Sequence, residues 1–180
     1  MNDERQRTVG AFVVVLAAAV VLLLPTVRER FAQSAGVTAV AQRQAMADFS
    51  ATNADGGTWR LRDHRGEVVA VNFWATWCGP CQQETPVMVR TVRDLAPQGF
   101  AVVGVSLDEG DRDAKVKAFA GRYAVNYPIV FPEAMSQLST NLEGIPTTLL
   151  VDRQGRVAKR YFGEMRESTL RRDVRALLAE

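Results

Sequence analysis

Cysteine and histidine are nearly absent from this chain: its 180 residues include two cysteines and one histidine. That is too few to staple a disulfide scaffold or to build a structural zinc site, which takes about four Cys or His ligands. His64, the lone histidine, lies in the charged turn 62–66, where a polar surface role is the ordinary one, so no metal centre is expected. An excess of one charge is also missing. The formal net charge is +2, and from Met46 onward acidic and basic residues balance, whereas a nucleic-acid-binding domain carries a basic surplus. Arg171, Arg172 and Arg175 sit in an amphipathic C-terminal stretch and read as a solvated helix face. No internal repeat is visible, and the length suits one domain of ordinary size with a short extension.

What the chain does have, near its start, is a long apolar run. Residues 8–27 contain VGAFVVVLAAAVVLLL and carry no charge. At about 1.5 Å per residue such a helix just spans a bilayer core of about 30 Å. The sequence therefore predicts a cytoplasmic tail at 1–7, a single transmembrane anchor at 8–27 and a spacer at 28–47, rich in Ala and Gln without a clear period. A cleaved signal peptide is the competing reading. Arg28, Glu29 and Arg30 stand where a small-residue cleavage site would lie, and they favour an uncleaved anchor. Arg5 and Arg7 on one side and Arg28 and Arg30 on the other nearly cancel as orientation signals. A short tail needs no translocation, and a first hydrophobic segment commonly exports the domain behind it. The domain is therefore expected outside the cytoplasm.

From residue 48 the pattern alternates between strand and helix periods. Extended pieces at 48–50 and 58–61 flank Gly56 and Gly57 and predict an N-terminal hairpin. EVVAVNFW (67–74) and FAVVGVSL (100–107) are continuous apolar, β-branched runs, the pattern of buried central strands. Helices are predicted at 79–95, 112–123, 133–142 and 168–178, the last with Leu170, Val174, Leu177 and Leu178 on one face. A short strand at 127–131 and a hairpin of 147–151 with 156–162 complete the set. The fold class is α/β over residues 48–180: a central mixed sheet with helices on both faces.

Both cysteines fall where a buried strand meets a helix, separated by Gly79 and Pro80. The thiolate is the reactive form, and a free cysteine with a pKa near about 8.5 offers little of it at neutral pH. Unpaired N–H groups and the dipole at a helix start stabilise the anion. A spacing of two residues brings both sulfurs within bonding distance around the first turn. One can then attack a disulfide and the other resolve the mixed intermediate. Proline suits a first turn, where its missing N–H costs nothing, and Gly79 lets a partner's backbone come close. Two structural thiols, or half of a zinc site, are the plain alternative. The lack of a second C-x-x-C and the tryptophan Trp77 just before Cys78 favour a catalytic pair.

The run NFWATWCGPCQQETP (72–86) resembles the TlpA/ResA/CcmG group of thioredoxin-like proteins, which are extracytoplasmic thiol–disulfide oxidoreductases. The resemblance extends from about Asp48 to the C-terminus. It takes in GIPTT (144–148), similar to the family's cis-proline loop, the turn at 151–156, and a strand and helix inserted at about 110–130. It implies that Cys78 attacks, that Cys81 resolves, and that the two form a redox-active disulfide. Pro146, in cis beside them, would expose the backbone of Ile145 to an extended partner, docked across Trp77, Gly79, Pro80, Ile145, Pro146 and Thr147. Where many thioredoxins carry a buried aspartate before the motif, this chain has Asn72. Glu84 matches the acidic residue of ResA-like members and is a third catalytic candidate, able to take the proton of Cys81.

The Gly79-Pro80 pair matches reducing members of the group. The resemblance further implies protein disulfides or thiols as substrates, apocytochrome c among them, a transmembrane thiol carrier as electron donor, and no cofactor. It places the protein on the bacterial cytoplasmic membrane, its domain facing the periplasm or the exterior. A peroxidase of the peroxiredoxin kind would need P-x-x-x-T-x-x-C, which residues 70–78 lack. A copper-delivery protein would use both thiols with a distant histidine, for which His64, before the central strand, is poorly placed.

Overall fold

The computed structural model describes residues 36–131 and 142–180. The tail and anchor expected at 1–7 and 8–27, and nearly all of the helix expected at 133–142, lie outside the described residues. Among the described residues no helix is long and apolar enough to cross a membrane.

The elements in chain order are β1 (Gln44–Ala45), β2 (Ser50–Asn53), β3 (Thr58–Arg60), β4 (Val68–Trp74), α1 (Gly79–Leu95), β5 (Phe100–Ser106), α2 (Arg112–Tyr123), β6 (Ile129–Phe131), β7 (Thr147–Val151), β8 (Arg156–Phe162) and α3 (Glu167–Leu178). The strands form one sheet in the order β1-β8-β7-β4-β5-β6-β2-β3. β4 runs parallel to β5 and antiparallel to β7, so the sheet is mixed. All seven residues of β4 are buried, as its unbroken apolar run requires. Its one polar member, Asn72, must therefore find partners inside the protein.

Alternation along β4 divides the core. Val68 and Ala70 pack with Met88, Val92 and Leu95 of α1 and with Leu170, Val174 and Leu177 of α3. Val69, Val71 and Phe73 point the other way, against Met46, Phe49, Trp59 and Leu61. Val116 and Phe119 of α2 cluster with Trp74 and both cysteines. The described helices thus cover the side of β4 that carries Ala70, Asn72 and Trp74. The opposite side is covered by the N-terminal hairpin and its flanks, so among the described residues the expected helical cover on both faces is seen on one.

One boundary differs from the sequence reading. The spacer expected at 28–47 is, from Val37 on, part of the domain. Val37 and Met46 are buried, Gln44 and Ala45 pair with β8, and the Thr38 N–H donates to Ala158 O at 2.8 Å. Arg43 holds this segment in place. Its guanidinium is fully enclosed and donates to Asp152 Oδ2 at 3.1 Å and to the two oxygens of Glu180 at 2.6 and 2.7 Å. Burial opposes the charge on Asp152, but the Arg156 N–H and the Arg43 and Arg156 side chains outweigh it and hold the carboxyl below its usual range. Anchoring by single residues leaves no period to read, which is why the stretch looks like a spacer.

Arg43→Ala should lower stability by about 3 kcal/mol, because it breaks a buried ion pair and leaves Asp152 with Arg156 as its one remaining cation among the described residues. Urea unfolding of the wild type and the variant measures this. A loss under about 1 kcal/mol would mean that residues 37–46 are not structurally joined to the domain.

Candidate active site

The chain leaves β4 at Trp74 and re-enters helix at Gly79. The Cys78 N–H donates to Ala75 O at 3.2 Å, and Gln82 N–H donates to Cys78 O at 3.1 Å. Cys78 is the N-cap of α1, with the Cys81 N–H directed at its sulfur at 3.2 Å. One of the helix's otherwise unpaired donors therefore faces Cys78 Sγ, the position where a thiolate gains most. Pro80 occupies the first turn, and α1 continues through Pro86, which has no N–H to offer the preceding turn. Cys78 and Cys81 are joined by a disulfide with Cα atoms 5.2 Å apart. Cys81 is 1% exposed against 6% for Cys78, so Cys78 is the outer sulfur.

A second loop meets this junction. The Ile145–Pro146 peptide is cis, and Ile145 O lies 3.8 Å from Cys78 Sγ. Thr147 Oγ1 donates to Gly144 O at 2.7 Å, and the Gly163 N–H donates to Pro146 O at 2.8 Å. Of the six residues expected to dock a partner, Trp77 is 68% exposed, and Gly79 and Pro80 are exposed. A side chain at Gly79 would meet nothing within 4 Å, so that surface is open. Ile145 is half-buried, and Pro146 and Thr147 are buried. The hydroxyl of Thr147 is engaged by Gly144 O and braces the loop.

Behind Cys81 lies a buried polar group. Glu84, one helical turn on and 2% exposed, accepts a hydrogen bond from Asn72 Nδ2 at 3.0 Å. The same amide donates to Thr148 Oγ1 at 2.9 Å. Burial pushes the Glu84 carboxyl up to about 7, against the opposing pull of bonds from Asn72 and the Met165 N–H, while the nearby Glu164 adds to the rise. Glu84 Oε1 has no protein partner among the described residues. Thr85 donates to Cys81 O at 2.8 Å and is hydrogen-bonded to the buried hydroxyl of Tyr127. Asn72 and Glu84, singled out separately from the sequence, are thus directly bonded. The arrangement sets an acid that titrates near neutrality on the helix face shared with the inner cysteine, where it can exchange a proton.

Three polar residues at the junction were not singled out from the sequence: Thr76, Gln82 and Asp108. Thr76 donates twice to Asp108, and Gln82 Nε2 donates to Thr76 O at 2.8 Å. Asp108 opens the polar run DEGDRD, which offers no signal to separate it from its neighbours. His64 is engaged elsewhere, with Nδ1 2.7 Å from Glu67 Oε2 and its ring stacked on Trp59 at 4.8 Å. Among the described residues no group of His, Cys, Asp and Glu is arranged to hold a metal ion.

An acid whose pKa is raised by folding costs stability as it ionises. For Glu84, at about 7 in the fold against 4.5 without it, stability is in full below the lower value. It should fall by about 3 kcal/mol as pH rises through the higher one, and level off above. Glu84→Gln should remove this fall. Urea midpoints of the oxidised proteins between pH 4 and 8 test it, and parallel curves would mean that Glu84 ionises as freely as an exposed carboxyl.

Residues 42–171 match the AhpC/TSA family. A thiol-disulfide oxidoreductase ResA of Geobacillus kaustophilus is 34% identical over 141 residues, covering 78% of this chain and 80% of that protein. The thioredoxin-like protein YneN of Bacillus subtilis is 34% identical over 70% of this chain and 74% of its own length. A solved thiol:disulfide interchange protein of the thioredoxin family from Chlorobium tepidum is 29% identical, with a TM-score of 0.69 over 78% of this chain and 99% of that one. The matched region contains the strand, the helix start with its bonded C-x-x-C pair, and the cis-proline loop. The chain therefore belongs to the AhpC/TSA family of thioredoxin-like proteins, as a thiol–disulfide oxidoreductase of the ResA type.

Proposed function

We propose that this oxidoreductase reduces protein disulfides outside the cytoplasm, with Cys78 as the attacking thiol, Cys81 as the resolving one and Glu84 as the proton acceptor. The observation that carries the reading is the unequal placement of the two sulfurs. Cys78 is the outer one, facing the helix N-terminus and the cis-proline loop, while Cys81 is enclosed one turn before a buried carboxylate.

In the forward direction the Cys78 thiolate attacks one sulfur of a partner disulfide. A mixed disulfide forms, and the partner's other sulfur leaves as a thiolate. Cys81 then passes its proton to Glu84 and attacks Cys78 Sγ. The partner's second thiolate is released, and the Cys78–Cys81 disulfide seen here remains. Two electrons have moved to the partner, and before the next cycle a second thiol pair must supply two more to the Cys78–Cys81 disulfide, becoming a disulfide itself. A membrane-embedded thiol carrier would supply that pair if residues 8–27 anchor the domain at the bacterial cytoplasmic membrane, facing the periplasm or the exterior. The apolar run 8–27 supports this placement. Apocytochrome c, whose heme-binding cysteines must be kept reduced, is the substrate proposed from the resemblance to the TlpA/ResA/CcmG group.

Cys81→Ser should leave the attack intact and stall resolution, so partners accumulate as adducts on Cys78 that a reductant releases. Mass spectrometry of adducts captured in a bacterial host identifies them. Adducts that persist in a Cys78→Ser/Cys81→Ser double variant would show that the capture is not thiol exchange. Glu84→Gln should slow the second step about 100-fold near pH 7 while leaving the first step nearly unchanged. Stopped-flow traces across pH separate the two steps, and superimposable profiles would remove Glu84 from the mechanism.

A further inference from the structure

We infer that Asp108 is a positioning residue that presents Trp77 to protein partners. Trp77 is the large apolar side chain beside the disulfide that stands mostly in solvent. Its own packing does little to fix it, so its place depends on the backbone that carries it. That backbone is gripped one residue earlier. The Thr76 N–H donates to Asp108 Oδ2 at 2.9 Å and the Thr76 hydroxyl donates to Asp108 Oδ1 at 2.5 Å. From the helix side, Gln82 Nε2 donates to Thr76 O at 2.8 Å. Thr76 is therefore held at its N–H, its side chain and its carbonyl.

The grip itself rests on a rigid strand end. Asp108 is 5% exposed and sits two residues past β5. Ser106 Oγ donates to its Oδ2 at 2.9 Å and in turn accepts the Asp108 N–H at 3.2 Å. The Leu107 N–H donates to Trp74 O at 2.8 Å, which ties the ends of β4 and β5 together. These donors to Asp108 are all neutral, and both carboxylate oxygens are used. A carboxylate is the side chain of this length that accepts on both sides, and its bonds are the stronger for carrying charge. An asparagine would turn an NH2 group toward either the Thr76 N–H or its hydroxyl.

The consequence falls on docking rather than on the sulfur chemistry. Exposed tryptophans make strong anchors for a partner, provided they are ordered before binding. A small disulfide presents no surface to Trp77 and reacts at Cys78, which the helix N-terminus already orders. The distinction rests on the reading that protein disulfides are the substrates.

The test compares reduced wild type with Asp108→Asn, Thr76→Val and Thr76→Ser, using insulin as the protein disulfide and a small aliphatic disulfide as the reference. Asp108→Asn should raise KM for insulin about tenfold, with kcat within about twofold, while the rate with the small disulfide changes less than about twofold. Thr76→Val, which keeps the carboxylate and the backbone bond, should show the same split to a smaller degree. Thr76→Ser, which restores the hydroxyl, should return insulin KM toward wild type, and this pair decides the matter if Asp108→Asn does not fold. Equal losses on both substrates, or an unchanged insulin KM in Asp108→Asn and Thr76→Val, would overturn the proposal. A wild type that reduces the small disulfide but not insulin would instead overturn the protein-substrate reading on which it rests.

Discussion

A sulfur held at the first turn of a helix, directly beyond a strand enclosed on every side, is the constraint on which the rest of this structure depends. β4 is apolar enough to be buried throughout, and it therefore ends in the interior with little freedom in where α1 begins. The unpaired N–H groups of that helix start are the one strong electrostatic feature a neutral scaffold can bring to a thiol. The Cys81 N–H on Cys78 Sγ is its visible form. At the other end of the disulfide, the second sulfur is almost sealed from solvent. Geometry alone thus divides one chemical group type into an outer and an inner role.

Enclosing the inner sulfur also encloses whatever must handle its proton. Asn72 is the polar interruption in an apolar strand, and its amide bridges Glu84 and Thr148. Burial raises the carboxyl to where it can accept and release a proton near neutral pH. A charged aspartate at position 72 would place a second acid against Glu84, and like charges resist ionising together. Asparagine is uncharged and donates a hydrogen bond to Glu84 that an ionised aspartate could not make. In the proposed mechanism the acid function belongs to the helix and its support to the strand.

Much of this was legible in the residue pattern because the governing forces are local. The runs at 67–74 and 100–107 could only be buried strands, and α1, α2, β7 and β8 fall where periodicity put them. The Cys-Gly-Pro-Cys spacing announced one half of the site, and the other half, the loop at 144–148, came from its resemblance to the family's cis-proline loop. Features built from single long-range contacts were not legible. Arg43 looks like one polar residue in a spacer until Asp152 and Glu180 meet it from the far end of the chain. Asp108 is one of several acids after β5, and nothing local tells that it grips Thr76. Thr147 is buried at the start of β7, and the bond from its hydroxyl to Gly144 O is a further contact that no local pattern shows.

The division of roles between the two sulfurs is tested most directly by alkylating the fully reduced protein at mildly acidic pH and following both thiols by peptide mass spectrometry. Cys78, the outer sulfur at the helix N-terminus, should be modified first, with Cys81 reacting only slowly. Equal or faster labelling of Cys81 would contradict the assignment of the outer sulfur as the nucleophile.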